Sequence, residues 1–121
     1  MDLHLIGRGT QITPRLRAAA EHKLARLERL EPKLTRLEIV VISERNPRLG
    51  GVRRVEAAAD IPRKTFRAHA DAREVEAALD LVAERLERQI RDHNKKRRAR
   101  LLAGASRVKS AQTTPEKAAE D

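Results

Sequence analysis

The order of hydrophobic periods along the chain is the feature that most limits its fold. Six segments of regular period follow one another as strand, helix, three strands and helix. They are residues 2–7, 14–30, 36–44, 53–61, 65–72 and 74–100. In the strand segments, apolar and polar residues alternate or β-branched residues dominate, which is typical of a sheet with one buried face. We therefore predict an α+β fold of order β-α-β-β-β-α, with two helices packed on one face of a four-stranded sheet.

Local signals set the limits of these segments. Thr13 followed by Pro14 favours a helix start, because the hydroxyl caps free backbone N–H groups and proline fits the first turn. The first helix should end before Pro32. Residues 46–51, which include Gly50 and Gly51, predict a turn between the second and third strands.

Both predicted helices carry an apolar stripe at spacings of three and four residues. The stripes are Leu16, Ala20, Leu24 and Leu27, then Val75, Leu79, Val82, Leu86 and Ile90. After Ile90 the next residue that could be buried is Leu101, so residues 91–100 should project beyond the core. From residue 104 onward there is no hydrophobic period. We predict a folded domain over 1–103 and a disordered polar tail over 104–121.

Positive charge is concentrated in the second helix. Residues 85–100 hold eight Lys or Arg and two acids, and so contribute +6 of the formal net charge of +9. Beside the apolar stripe runs a basic one, made of Arg88, Arg91, Lys95 and Arg98. A localised basic stripe indicates a polyanionic partner, nucleic acid first. Phe66 is the only aromatic residue, so phosphates and shape should matter more than base stacking.

The first helix also has a basic stripe, made of Arg15, His22, Arg26 and Arg29. By itself this stripe is typical of an ordinary solvated helix face, where charge pairs one turn apart are common.

Several function classes are disfavoured by what the sequence lacks. The chain has no cysteine, which removes disulfides, thiolate nucleophiles and cysteine-based zinc sites. The four histidines are scattered without metal-ligand spacing, and no glycine-rich phosphate loop is present. We therefore expect no enzymatic activity, cofactor, metal or small-molecule substrate.

No signal-peptide or membrane-spanning pattern is found, so we expect a cytoplasmic protein with no membrane partner. A basic amphipathic helix on anionic lipid is a minor alternative.

Two segments resemble the ribosome hibernation promoting factor family, and in particular its short members. ITPRLRAAAEHKLARLERL, from Ile12 to Leu30, is similar to the family's I-T-x-x-(L/I)-R followed by a basic run. EVEAALDLVAERLERQIRDHNKK, from Glu74 to Lys96, is similar to the family's second helix. The match extends from residue 1 to about 100.

The resemblance implies a domain that binds the small ribosomal subunit in the channel of mRNA and tRNA and inhibits translation under stress or in stationary phase. Ribosomal RNA lines that channel with phosphates, which Lys and Arg can neutralise. The basic positions carried over from the family are Lys23, Arg26, Arg29, Arg85 and Arg88. The basic end of the second helix adds as candidate rRNA contacts Arg91, Lys95, Lys96, Arg97 and Arg98.

The sequence departs from the family pattern in two places. Glu76 stands where the family usually has Tyr, so the contacts of that ring are not expected. No segment after Lys96 has the length or hydrophobicity of the C-terminal domain of long members. We therefore expect no pairing of ribosomes through such a domain, and a monomer off the ribosome.

Two other classes stay open. A general double-stranded RNA-binding module also places helices on one face of a sheet, with a basic helix end. The leading strand and the Thr13–Pro14 helix start favour the hibernation family over that module. A protein interaction module would need an exposed apolar or aromatic anchor, which the sequence does not offer.

Overall fold

The computed structural model describes residues 2–43 and 52–112, and for 105–112 it describes only the course of the helix. The elements are β1 (Asp2–Arg8), α1 (Pro14–Leu30), β2 (Arg36–Ser43), β3 (Arg53–Ile61), β4 (Lys64–Ala72) and α2 (Val75–Gln112). This is the predicted order, and the predicted α+β fold is confirmed. The turn predicted at 46–51 lies outside the described residues.

The sheet has the order β1-β2-β3-β4. β1 is parallel to β2, because α1 carries the chain back across the sheet between them, and the two other pairs are antiparallel. β1 and β4 therefore run in the same direction. Since α1 follows β1 and α2 follows β4, the two helices also start at the same end of the sheet.

The helices pack on one face of the sheet, as predicted. The buried cluster takes alternate residues from β2, β3 and β4, among them Ile39, Val55 and Phe66. Both helical stripes enter this cluster, with Leu16 and Val75 partly buried at their starts. Burying large aliphatic side chains contributes about 1.5–3 kcal/mol each, so this one face supplies most of the stabilisation.

Capping explains where α1 starts and ends. Thr13 Oγ1 accepts a hydrogen bond from the backbone N–H of Leu16 at 3.1 Å, and Pro14 is the first helical residue. At the other end the N–H of Glu31 donates to the carbonyl of Leu27 at 2.9 Å, one residue before Pro32. The limits predicted for this helix are confirmed.

On the open face of the sheet, Arg54 and Asp71 form a two-pronged pair between β3 and β4. Arg54 Nε donates to Asp71 Oδ1 at 2.9 Å, and its Nη2 donates to Oδ2 at 3.2 Å. The hydrogen bond from Arg54, more than any other contact, holds the pKa of Asp71 below its ordinary value.

The chain divides into two compact units, Met1–Ile90 and Arg91–Asp121, and the buried cluster lies in the first. α2 continues to Gln112, beyond the domain boundary expected at residue 104. Residues 103–112 contain three Ala and no Pro, so local propensity favours helix even though there is no apolar stripe to bury. A disordered tail in isolation stays a prediction, and residues 113–121 lie outside the described residues.

Candidate nucleic-acid interface

Two predicted cations of α1 reach across to acids of α2. Lys23 Nζ lies 2.6 Å from Asp80 Oδ1, and Arg26 Nη2 lies 3.0 Å from Glu87 Oε1. The Lys23 side chain is only 23% exposed, whereas that of Arg26 is 63% exposed. These pairs fix the cations in place beside α2 and neutralise part of their charge.

A groove of about 550 Å³ runs between the two helices. It is lined by His22, Lys23, Arg26, Arg29, Asp80, Ala83 and Glu84. Arg29 is exposed on its wall and has no acidic partner among the residues that the structure describes. Where the sequence predicted a purely basic stripe on α1, the folded groove has a mixed charge in which acids of α2 face the cations.

Arg85 lies on a different flank of α2, next to the sheet edge. Its guanidinium donates to the backbone carbonyl of His69 on β4. One turn further on, Gln89 Nε2 donates to the carbonyl of Arg67 at 2.7 Å. β4 is an edge strand, and such unpaired carbonyls invite pairing with another chain unless they are covered. The structure therefore gives Arg85 a structural contact and does not bring it into the groove.

Arg88 is exposed and follows Glu84 by four residues. Residues four apart lie on the same face of a helix, and Glu84 lines the groove. Arg88 is thus placed at the groove rim. The first unit brings together Lys23, Arg26, Arg29 and Arg88 of the predicted set.

The second unit has the densest positive charge. Residues 91–112 hold eight Lys or Arg and a single acid, Asp92. The helical course of this segment puts Arg91, Lys95 and Arg98 on one stripe, at spacings of four and three. Lys95, Lys96 and Arg98 are exposed, and Arg97 is half-buried.

Reasoning from the sequence missed the acids of α2 that pair with α1 or line the groove. Asp80, Glu84 and Glu87 recur at spacings of four and three, which is a helical stripe of its own and was the available signal. It also missed the basic residues Arg53 and Arg73. They lie on β3 and between β4 and α2, outside any helical period.

Within the described parts of the chain, no group of three or more His, Cys, Asp or Glu side chains could hold a metal ion. The helices described there are too short or too polar to span a membrane.

Comparisons with known proteins agree with one another. A family model described as Sigma 54 modulation protein / S30EA ribosomal protein matches residues 3–98. A ribosome hibernation promoting factor of Pseudomonas putida is 30% identical over 107 residues, which are 88% of this chain and 100% of that protein. One of Azotobacter vinelandii is 28% identical over 96 residues, covering 79% and 85% of the two chains.

Solved structures show the same fold. A ribosomal subunit interface protein from Coxiella burnetii superposes with a TM-score of 0.70 at 24% identity, covering 78% of this chain and 99% of the other. The Protein Y N-terminal domain of Thermus thermophilus superposes with a TM-score of 0.67 at 30% identity, covering 77% of this chain and 99% of that domain.

Proposed function

Because this chain belongs to the Sigma 54 modulation protein / S30EA ribosomal protein family, the family of the ribosome hibernation promoting factors, we propose that it binds the small ribosomal subunit in the mRNA and tRNA channel. There it inhibits translation under stress or in stationary phase. Its activity is binding alone, it acts in the cytoplasm, and it is a monomer off the ribosome. Its partner is the phosphate backbone of ribosomal RNA.

The observation that carries this proposal is the placement of cations at the groove of the first unit and, separately, along the basic end of α2. Of the ten predicted contacts, Lys23 and Arg26 are paired with acids and Arg85 is bound to a backbone carbonyl. The others lie at the groove or on the basic end of α2. They are Arg29, Arg88, Arg91, Lys95, Lys96, Arg97 and Arg98. Arg91 also makes a contact within the protein, and the six other cations are enough to neutralise about six phosphates, without the aromatic platforms that single-strand binders use.

The leading strand supports this function over a general double-stranded RNA-binding module. β1 pairs along its whole length with β2, from Asp2 opposite Arg36 to Arg8 opposite Ile42. It is therefore an integral strand of the sheet, as the hibernation family requires. Duplex RNA should accordingly compete poorly for the small subunit.

Sedimentation with small ribosomal subunits at several salt concentrations tests the proposal. With about six phosphates neutralised, the plot of log affinity against log salt should have a slope of roughly −4 to −5. An in vitro translation reaction should slow as the protein is added. Absence of binding, binding that is independent of salt, or equal competition by duplex RNA would contradict the proposed function.

A further inference from the structure

A second cavity lies in the first unit, at the end of the sheet where both helices begin. Its volume is about 470 Å³. It is lined by Thr10, Gln11, Thr13, Arg15, Leu16, Arg53, Arg73, Glu74, Val75 and Glu76. None of the ten cations predicted from the sequence lines it, so it is separate from the groove.

Three arginines converge on this cavity from three different parts of the fold. Arg15 lies in the first turn of α1, Arg53 begins β3, and Arg73 lies between β4 and α2. Convergence of like charges from separate parts of the fold is unfavourable unless an anion relieves it. The spacing of these residues in the sequence gives no reason for their meeting, because only the folded sheet brings them together.

The charges of these arginines are incompletely matched by the protein. Arg15 Nε is 3.7 Å from Glu76 Oε2, which is too long for a hydrogen bond, and its side chain is 87% exposed. Arg53 Nη1 donates to a neutral group, the hydroxyl of Ser43, at 2.9 Å. Arg73 is exposed, and no acid pairs with it in the described part of the chain.

The start of α1 adds to the positive potential of the cavity, whereas the first turn of α2 carries Glu76. α1 and α2 begin at the same end of the sheet, and α1 has no acidic residue in its first turn. Its partial positive charge therefore adds to that of the guanidinium groups. The loop that carries Thr10 to the cavity depends on Gly7, because a Cβ there would lie 2.3 Å from the Thr10 carbonyl oxygen.

We propose that this cavity binds one phosphodiester group of the RNA backbone, through Arg15, Arg53 and Arg73. The proposal rests on the proposed function and adds a contact to it. Three arginines and two glutamates give the lining a net charge of +1. That charge matches a singly charged diester better than a nucleotide with several negative charges.

The cavity extends the RNA-binding surface along α1. Arg15 precedes Arg26 of the groove by 11 residues, which corresponds to about 16 Å along the helix axis. RNA that follows the groove can therefore reach the cavity with a neighbouring part of its backbone. Glu76, at the position where the family usually has Tyr, lies at this cavity rather than at the groove.

The test compares Arg73→Gln with Arg63→Gln in the full chain. Both remove one positive charge from an exposed arginine, but Arg63 lies in the turn between β3 and β4, at the opposite end of β3 from the cavity. Affinity for small ribosomal subunits is measured by sedimentation between 50 and 200 mM salt. Loss of one phosphate contact lowers the magnitude of the log-log slope by about 0.7–0.9. The wild type should therefore lose about threefold more affinity over this range than Arg73→Gln does.

Arg63→Gln should keep the wild-type slope, and both variants should keep the wild-type thermal transition. If the wild type binds ribosomes and the two variants have equal slopes, the cavity does not bind the RNA backbone. The proposed function is unaffected by that result. A wild type that fails to bind ribosomes overturns the proposed function and the RNA assignment with it. A parallel NMR titration of the arginine Nε–Hε signals with inorganic phosphate distinguishes the source of the anion. If inorganic phosphate shifts these signals and Arg73→Gln binds ribosomes as the wild type does, the ligand of the cavity is free phosphate and not RNA.

Discussion

Replacing Asp80 by Asn should strengthen binding to ribosomal RNA. Lys23 Nζ is held 2.6 Å from Asp80 Oδ1 in the free protein, so a phosphate that takes Lys23 as a partner must compete with this carboxylate. Asparagine keeps the shape of the side chain but removes its charge. The substitution therefore releases Lys23 for phosphate and removes an anion from the wall of the groove.

The size of the effect follows from the exposure of the pair. Lys23 is 23% exposed and Asp80 is 56% exposed, and pairs of this partly solvated kind contribute about 0.2–1 kcal/mol. If that free energy is lost when Lys23 turns to the RNA, Asp80→Asn should bind about 1.4- to 5-fold more tightly. The log-log salt slope should become steeper by up to about 0.9. The same pair contributes to folding, so the melting temperature should fall by at most about 8 °C.

The assay is sedimentation with small ribosomal subunits over a salt series, with thermal unfolding followed by circular dichroism. Glu84→Gln is the matched control, because Glu84 lines the same groove and no ion pair is found for it in the described residues. It removes one negative charge without releasing a lysine. Combining Asp80→Asn with Lys23→Ala should cancel the gain.

Equal strengthening by Asp80→Asn and Glu84→Gln would mean that only the general potential of the groove matters. Weaker binding by Asp80→Asn would mean that the ion pair positions Lys23 for phosphate rather than withholding it. Either result would refute the competition between Asp80 and phosphate.

Four further outcomes are expected. Arg88→Glu should weaken ribosome binding and translation inhibition without changing the melting temperature. Arg85→Glu should also lower stability by about 1 kcal/mol, since the guanidinium binds a β4 carbonyl. Deleting residues 104–121 should leave the thermal transition of the core nearly unchanged, because the buried cluster ends at residue 90. Arg54 lowers the pKa of Asp71, so this pair stabilises the fold at neutral pH and the stabilisation is lost as pH falls below the ordinary carboxyl range. Thermal melts of Arg54→Gln between pH 2 and 7 should therefore show a smaller loss of stability on acidification than those of the wild type.

Much of the fold follows from local patterns in the sequence. Alternation in β3 and β4 gave the correct buried face, because a strand with one wet face must place every second side chain in the core. The start of α1 was also predictable, since Thr13 and Pro14 act within one turn of the chain. The continuation of α2 beyond residue 104 was not predictable in this way. A hydrophobic period shows which residues of a helix are buried, and this segment forms a helix without an apolar stripe.

The candidate site was less predictable than the fold, because charge pairing is a property of tertiary structure. The basic stripe of α1 was visible, but its neighbour was not known, and the sequence alone could not place Glu87 beside Arg26. Arg85 shows the same limit. One helical position separates it from the acids that face α1, and that difference turns its side chain toward the sheet edge instead of the groove.

The two units should contribute to different steps of RNA binding. Residues 1–90 carry 18 Lys or Arg and 14 acids, whereas residues 91–121 carry nine and four, so the shorter segment has the greater net charge. Net charge governs long-range attraction and the rate of association. The exposed cations at the groove, Arg29 and Arg88, are attached to the packed first unit, so their contacts with RNA act at short range, where fixed geometry slows dissociation. Neutralising Lys95 and Lys96 should therefore lower mainly the association rate and weaken its salt dependence. Neutralising Arg29 and Arg88 should raise mainly the dissociation rate. Stopped-flow association with labelled small subunits would separate the two, and equal effects on one rate constant would contradict this division.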